Sequence, residues 1–344
     1  MSAINRETQL VVERNYPRIA KFPVLDFHTH FGNLFGTVVE KDNYLDLYET
    51  MDVVEEIKSY GVKKIVNLDG GWGDEHLRMR EKLDVAGDFI VHFGQLPVDS
   101  FEEAGFESFV YNTMRDLHAN GVKGMKFWKI IGLGIKDKAG KYLRPDDERL
   151  RCIWQTAAEF GMVILFHIAD PVAFFLPADE KNEHYELLKD RSDWLFTNPE
   201  LYTFKQLMEM QENLLEQNQN TKFVIPHFGG YAENLRQVGI WLDRFPNMYV
   251  DIAERINELG RQPYTSKAFF ERYADRILFG TDLVPTDIER YTIYFRFLET
   301  MDEYFSYRTD KGFILGDWHI YGIGLDDDVL KKIYSRNAEM LLGI

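Results

Sequence analysis

Short β-rich runs alternate with longer segments of helical period along this chain, and the alternation is the first sign of its architecture. "FPVLDFHTH" is followed by the helical "NYLDLYETMDVVEEIKSYG", "KKIVNLDGG" by "DEHLRMREKLDVAG", and "FIVHFGQLP" by "FEEAGFESFVYNTMRDLHAN". "GVKGMKFWK" then precedes "PDDERLRCIWQTAAEFG", "MVILFHIAD" precedes "FKQLMEMQENLLEQN", and "TKFVIPHFGG" precedes "NLRQVGIWLDRF". "NMYVDIAER" with "SKAFFERYAD", and "RILFGTDLV" with the segment from Thr286 to about Met301, complete eight strand–helix units. Eight such units predict an α/β fold, a closed (β/α)8 TIM barrel. A doubly wound open sheet would want a glycine-rich phosphate turn after its first strand, and "HFGNLFG" is not one.

The remaining segments decorate that barrel as one domain spanning residues 1–344, with a short N-terminal extension and a last helix, "DDDVLKKIYSRNAEMLLGI". Two loops on the carboxyl side of strands exceed the usual two to six residues: Lys129 to Pro145 after strand four and Pro171 to Thr203 after strand five. Long loops on that face build or cover sites.

Composition excludes some partners. Acidic residues outnumber basic ones 56 to 40, a formal net charge of -16 that repels polyanions, so nucleic acid and anionic membrane are not expected. No run approaches the roughly 20 apolar residues of a membrane span, and the start has no signal-peptide core. A single cysteine, Cys152, forbids an internal disulfide. These features fit a cytoplasmic protein acting on a small molecule.

The candidate chemistry sits at strand ends. His28 and His30 are two apart, so they share a face of strand one, toward the barrel axis if Leu25 and Phe27 face the helices. They are either hydrogen-bonded core histidines or half of a metal site. His167 ends strand five, His227 ends strand six and Asp282 ends strand eight, all on the carboxyl rim where barrels place catalysis. Imidazoles and one carboxylate are the ligands that zinc, iron or manganese prefer, whereas calcium or magnesium would want more oxygen. An ion with an open position lowers the pKa of water to about 7, giving a nucleophile at neutral pH.

The motifs "HTH" on strand one, "FH" on strand five, "PHFGG" on strand six and "FGTD" on strand eight resemble, in order and placement, those of the amidohydrolase superfamily. The resemblance runs from about Phe22 to the "NAEMLLG" ending. It is strongest to the branch holding aminocarboxymuconate-semialdehyde and resorcylate-type decarboxylases together with lactonases and related hydrolases. It implies that His28, His30, His167 and Asp282 ligate a metal, that Asp282 also takes a proton from water, and that His227 is catalytic. It implies a homodimer as well, and one divalent ion, zinc in the first place with manganese or iron as alternatives.

Binuclear members of the superfamily bridge two metals through a residue of strand four, where alternation turns Lys126 inward with Gly124 and Trp128. Lys126 is then a bridging carbamate, or a substrate-positioning or salt-bridged lysine. Arg255 after strand seven could clamp a substrate carboxylate or bridge to acids of its own chain, and Glu254 could also reach the pocket. Asp26 could orient a ligand histidine or make a structural hydrogen bond. His76 and His118 read as solvent-facing helical residues and His92 as core, while His184 and His319 fall in long loops. Trp128, Trp194, Phe174, Phe175 and Trp318 could wall an apolar pocket. Three functions follow: a hydrolase of an ester, lactone or amide of a small, carboxylate-bearing substrate; a non-oxidative decarboxylase on the same ligands; or a catalytically silent barrel.

Overall fold

The computed structural model describes residues 8–32, 45–309 and 315–344. Residues 1–7 of the N-terminal extension and Asn43 and Tyr44, where the first helix is expected to begin, lie outside that range.

Eight parallel strands run in chain order: β1 (Val24–Thr29), β2 (Val62–Asn67), β3 (Ile90–Gln95), β4 (Gly124–Phe127), β5 (Val163–Phe166), β6 (Phe223–Ile225), β7 (Met248–Asp251) and β8 (Ile277–Leu278). Backbone bonds from Phe27 N to Phe279 O, His30 N to Leu283 O and Asp282 N to His28 O join β8 back to β1, which closes the barrel. Helices α1 (Thr50–Ser59), α2 (Gly73–Leu83), α3 (Phe106–Ala119), α4 (Arg151–Phe160), α5 (Phe204–Gln217), α6 (Leu235–Arg244), α7 (Pro263–Arg272) and α8 (Tyr291–Glu299) fill the connections. The expected TIM barrel is the observed one. Helix α8 starts later than Thr286 because Ile288–Arg290 forms a tight 3-10 turn first.

Two buried clusters separate the inside of the barrel from its outer layer. Leu25, Phe27, Val66, Leu68, Val91, Phe93, Val163, Leu165, Val224 and Leu278 pack together with Ala338, Leu341 and Leu342 of the last helix. The alternate strand positions, such as Ile65, Met125, Phe127, Ile164 and Phe166, cluster with helix side chains. The last helix, Asn337–Leu342, plugs the amino end, where Lys63 at the start of β2 pairs with Glu339. Among the described residues no helix is long and apolar enough to cross a membrane.

Leu25 and Phe27 therefore face the barrel interior, not the helices. The physical reason is a β-bulge: between Asp26 and Thr29 strand β1 advances three residues while β2 advances two, from Ile65 to Asn67. The extra residue reverses the alternation, so Phe27 and His28 both turn inward while Asp26 faces the helix layer and bonds Tyr291 Oη of α8.

The two long loops carry short turns of their own, Ile130–Leu133 after β4 and Val172–Phe175, Tyr185–Leu188 and Ser192–Trp194 after β5. Phe174, Leu188 and Leu315 form a satellite core there, with Phe175 and Trp194 against it. His184 is buried beside Phe174 and Trp318. His76 is buried, contrary to the solvent-facing expectation: its Nδ1 bonds Gly70 O at 2.8 Å, so the turn after β2 draws the ring inward. His118 is exposed and stacks on Phe160.

Candidate metal centre

Five side chains meet at the carboxyl rim. His28 Nε2 and His30 Nε2 lie 3.3 Å and 2.9 Å from Asp282 Oδ1. The His28 and His227 rings are 5.1 Å apart and the His167 and His227 rings 4.4 Å. Ligand atoms of His28, His227 and Asp282 all fall within 4.8 Å of one another. His227 rather than His167 completes this tightest triple, since the turn after β6 puts His227 in the left-handed region at φ 55 and swings its ring over the barrel mouth. Asp282 is left-handed too, at φ 62. Left-handed non-glycine residues after β6 and β8 are strained, and such strain clusters at functional sites.

Each histidine has one ring nitrogen held by an acceptor of the chain. His28 Nδ1 bonds Asp251 Oδ2 at 2.7 Å and His30 Nδ1 bonds Asp69 Oδ1 at 2.6 Å. His167 Nε2 bonds Asp170 Oδ1 at 3.1 Å, and His227 Nδ1 bonds Ala253 O at 3.0 Å. A carbonyl or a carboxylate can only accept, so the held nitrogen carries the hydrogen and a neutral ring offers a lone pair at the other. Buried His167 Nδ1 has no hydrogen-bond partner among the described residues, while His30 Nε2 lies 2.9 Å from Asp282 Oδ1. Buried ring nitrogens gathered with a carboxylate fit a divalent ion of the zinc, manganese or iron type.

Electrostatics sorts the roles. Burial raises the Asp282 carboxyl, but His28 and His30 outweigh it and hold it well below the usual range. Burial pulls His30 down, and the Asp69 and Asp282 carboxylates more than reverse this, to about 9. Burial depresses His167 to about 4 against Asp170, and holds His227 well below its ordinary value with help from His167 and Arg255.

Lys126 points inward as alternation predicts, with Met125 and Phe127 in the helix layer. It is 1% exposed, and its Nζ lies 3.5 Å from His28 Nε2 and 4.2 Å from the centre of the Trp128 ring. Burial lowers it to about 8, against Asp282 and Asp251. Among the described residues no carboxylate lies within 4.0 Å of it, so it is not a salt-bridged lysine there. Arg255 is likewise buried with its Nη1 on Glu254 O at 2.6 Å and no carboxylate in ion-pair range among the described residues. Glu254 turns away to pair with Arg290. Asp26 makes the structural bonds: it accepts from Thr281 Oγ1 at 2.5 Å, Tyr291 Oη at 2.9 Å and the His28 amide at 3.0 Å, touching no ligand ring.

Sequence reasoning missed Asp69, Asp170 and Asp251, the anchors of three histidines. Each follows a strand or ends one, in "NLDGG", "HIADP" and "YVDIA", so the rule that singled out Asp282 applied to them as well.

The chain matches the family described as amidohydrolase over residues 26–344. By structure it is similar to a 2,6-dihydroxybenzoate decarboxylase complexed with 2,6-dihydroxybenzoate, at TM-score 0.58 and 14% identity, covering 94% of this chain and 100% of that one. It is also similar to a dihydroxybenzoic acid decarboxylase from Polaromonas sp. JS666 with bound manganese and 2-nitroresorcinol, at TM-score 0.54 and 17% identity, covering 94% and 97%. An uncharacterized TIM-barrel protein from Bordetella bronchiseptica is similar at TM-score 0.56 and 14% identity, covering 94% and 99%. At such identities these likenesses speak for the barrel alone. No curated protein matches the chain by sequence. The family match takes in every side chain of the centre, from His28 to Asp282, and the chain belongs to the amidohydrolase family.

Proposed function

We propose that the protein is a metal-dependent hydrolase acting on an ester, lactone or amide carbonyl of a small carboxylate-bearing substrate, with His28, His30, His167 and Asp282 holding one divalent ion. The observation that carries this reading is the anchoring of all four histidines: Asp251, Asp69, Asp170 and Ala253 O each occupy one nitrogen and leave the other for the centre. A bound ion supplies Lewis acidity, acidifying a water and polarising the scissile carbonyl. Asp282, ionised and with 23% of its side chain accessible, accepts the proton of the attacking water and returns it to the leaving group. With His227 Nδ1 on Ala253 O and the ring neutral, its Nε2 is an acceptor, suited to ligation or to taking a proton. Lys126 and Arg255, buried cations without carboxylate partners among the described residues, are the groups that balance a substrate anion.

Those two cations also favour a second reading, decarboxylation. There the bond to a carboxylate breaks, its electron pair stays on carbon, and a proton is delivered to that carbon. The same barrel carries that reaction in the dihydroxybenzoate decarboxylases it resembles.

Product analysis in ¹⁸O-water separates the two. Label in the product carboxyl marks hydrolysis, and release of carbon dioxide with no label in the organic product marks decarboxylation. Protein purified without added metal is expected to carry about one divalent ion per chain, and His30→Ala to lose it. A wild-type protein that stays metal-free after incubation with zinc and manganese sinks both readings. A homodimer remains part of the proposal, checked by sedimentation.

A further inference from the structure

A cavity of about 80 Å³ opens on the carboxyl rim between the loops that follow β2, β3 and β4. Trp72, Leu96, Val98, Trp128, Ile130 and Ile135 give it largely apolar walls. Lys126 stands at its inner end, buried and without a carboxylate partner among the described residues. The wall shared with the metal centre is short: the Trp128 ring lies 5.5 Å from that of His30, and Lys126 Nζ lies 3.5 Å from His28 Nε2. A buried ammonium facing an apolar slot is costly unless an anion completes it.

We propose that this slot is a specificity subsite for an amphiphilic carboxylate, with the carboxylate on Lys126 beside the metal centre and an apolar chain or ring lying between Trp72, Trp128 and Ile130. The inference rests on the metal-centre reading above and adds the shape of the ligand to it. Trp72 and Ile130, at 36% and 37% exposure, form the outer lip, so the slot admits ligands longer than the cavity alone would hold. Glu75 and Asp99 line it as well, which disfavours a second anionic group at the far end.

The test is calorimetric binding of the straight-chain series acetate, butyrate, hexanoate and octanoate to the metal-loaded protein. Each added methylene that enters the slot is expected to tighten binding about fourfold. Ile130→Asp is expected to leave metal content unchanged and to weaken the dependence on chain length. Lys126→Met is expected to weaken the whole series together while keeping the chain-length slope. A metal-loaded wild type whose affinity is the same from acetate to octanoate overturns the subsite and leaves the metal centre standing, as does an unchanged slope in Ile130→Asp. A protein that binds no metal overturns the centre and the subsite with it.

Discussion

Replacing Asp251 by asparagine tests whether the chain, rather than an ion, dictates which nitrogen His28 offers. Asp251 uses both oxygens: Oδ2 accepts from His28 Nδ1 at 2.7 Å, and Oδ1 accepts from the His227 and Ala253 amides at 2.8 and 3.1 Å. Asparagine keeps the shape but converts one oxygen into an N–H donor. With its oxygen on the two amides, its NH2 confronts His28 Nδ1, whose hydrogen must move to Nε2, the nitrogen 3.3 Å from Asp282. With the side-chain amide flipped, two backbone donors lose their acceptor. A buried hydrogen bond to a charged group is worth about 1.5–3 kcal/mol. Partners of ligand histidines account for about 10- to 100-fold in metal affinity, or about 1.4–2.8 kcal/mol. The two ranges agree, so Asp251→Asn is expected to bind zinc or manganese roughly 10- to 100-fold more weakly. Competition against a chromophoric chelator at pH 7.5 measures this, with urea unfolding of the metal-free protein alongside to separate ligand loss from general loosening. An affinity within threefold of wild type would refute the anchoring argument.

Two further changes test the scaffold. Glu258 is wholly buried, and burial raises its carboxyl to about 7 in spite of nearby Arg255. Between its unfolded value near 4.5 and about 7 the folded state binds more protons, so its contribution to stability falls as pH rises through that window. Glu258→Gln is therefore expected to stabilise the fold at pH 8 by on the order of 1–3 kcal/mol, read from urea unfolding, with the gain gone at pH 4.5; a pH-independent difference would contradict this. At Gly124 a methyl group would sit 2.4 Å from the Phe93 ring and from Val163 O, so Gly124→Ala overpacks the barrel interior and is expected to cost about 1–3 kcal/mol or more. An unchanged urea midpoint would show that Phe93 can give way.

The architecture was legible because it rests on local periodicity. Eight apolar runs and eight amphipathic segments recur in order, and a closed barrel is an arrangement that buries both faces of such strands. His28, His30, His167, His227 and Asp282 were legible for the same reason, since a residue at the carboxyl end of a barrel strand has one place to go. Side-chain direction was less so. Alternation placed Lys126 correctly on regular β4, and misplaced Leu25, Phe27 and Asp26 on bulged β1. A one-residue bulge leaves no mark in composition but reverses every face after it.

The chain by itself determined the barrel, the rim on which the chemistry sits and the residue types that gather there, because strand and helix periods are properties of neighbours in sequence. Tertiary structure alone decided which nitrogen each histidine presents. The anchoring pairs join residues 223 positions apart for His28 and Asp251 and 39 apart for His30 and Asp69. It also decided that His227 crosses the mouth in a left-handed turn, and that Lys126 and Arg255 are buried without carboxylate partners among the described residues. Hydrogen-bond direction and desolvation depend on what the closed barrel brings within about 3 Å, and no reading of local pattern contains that distance.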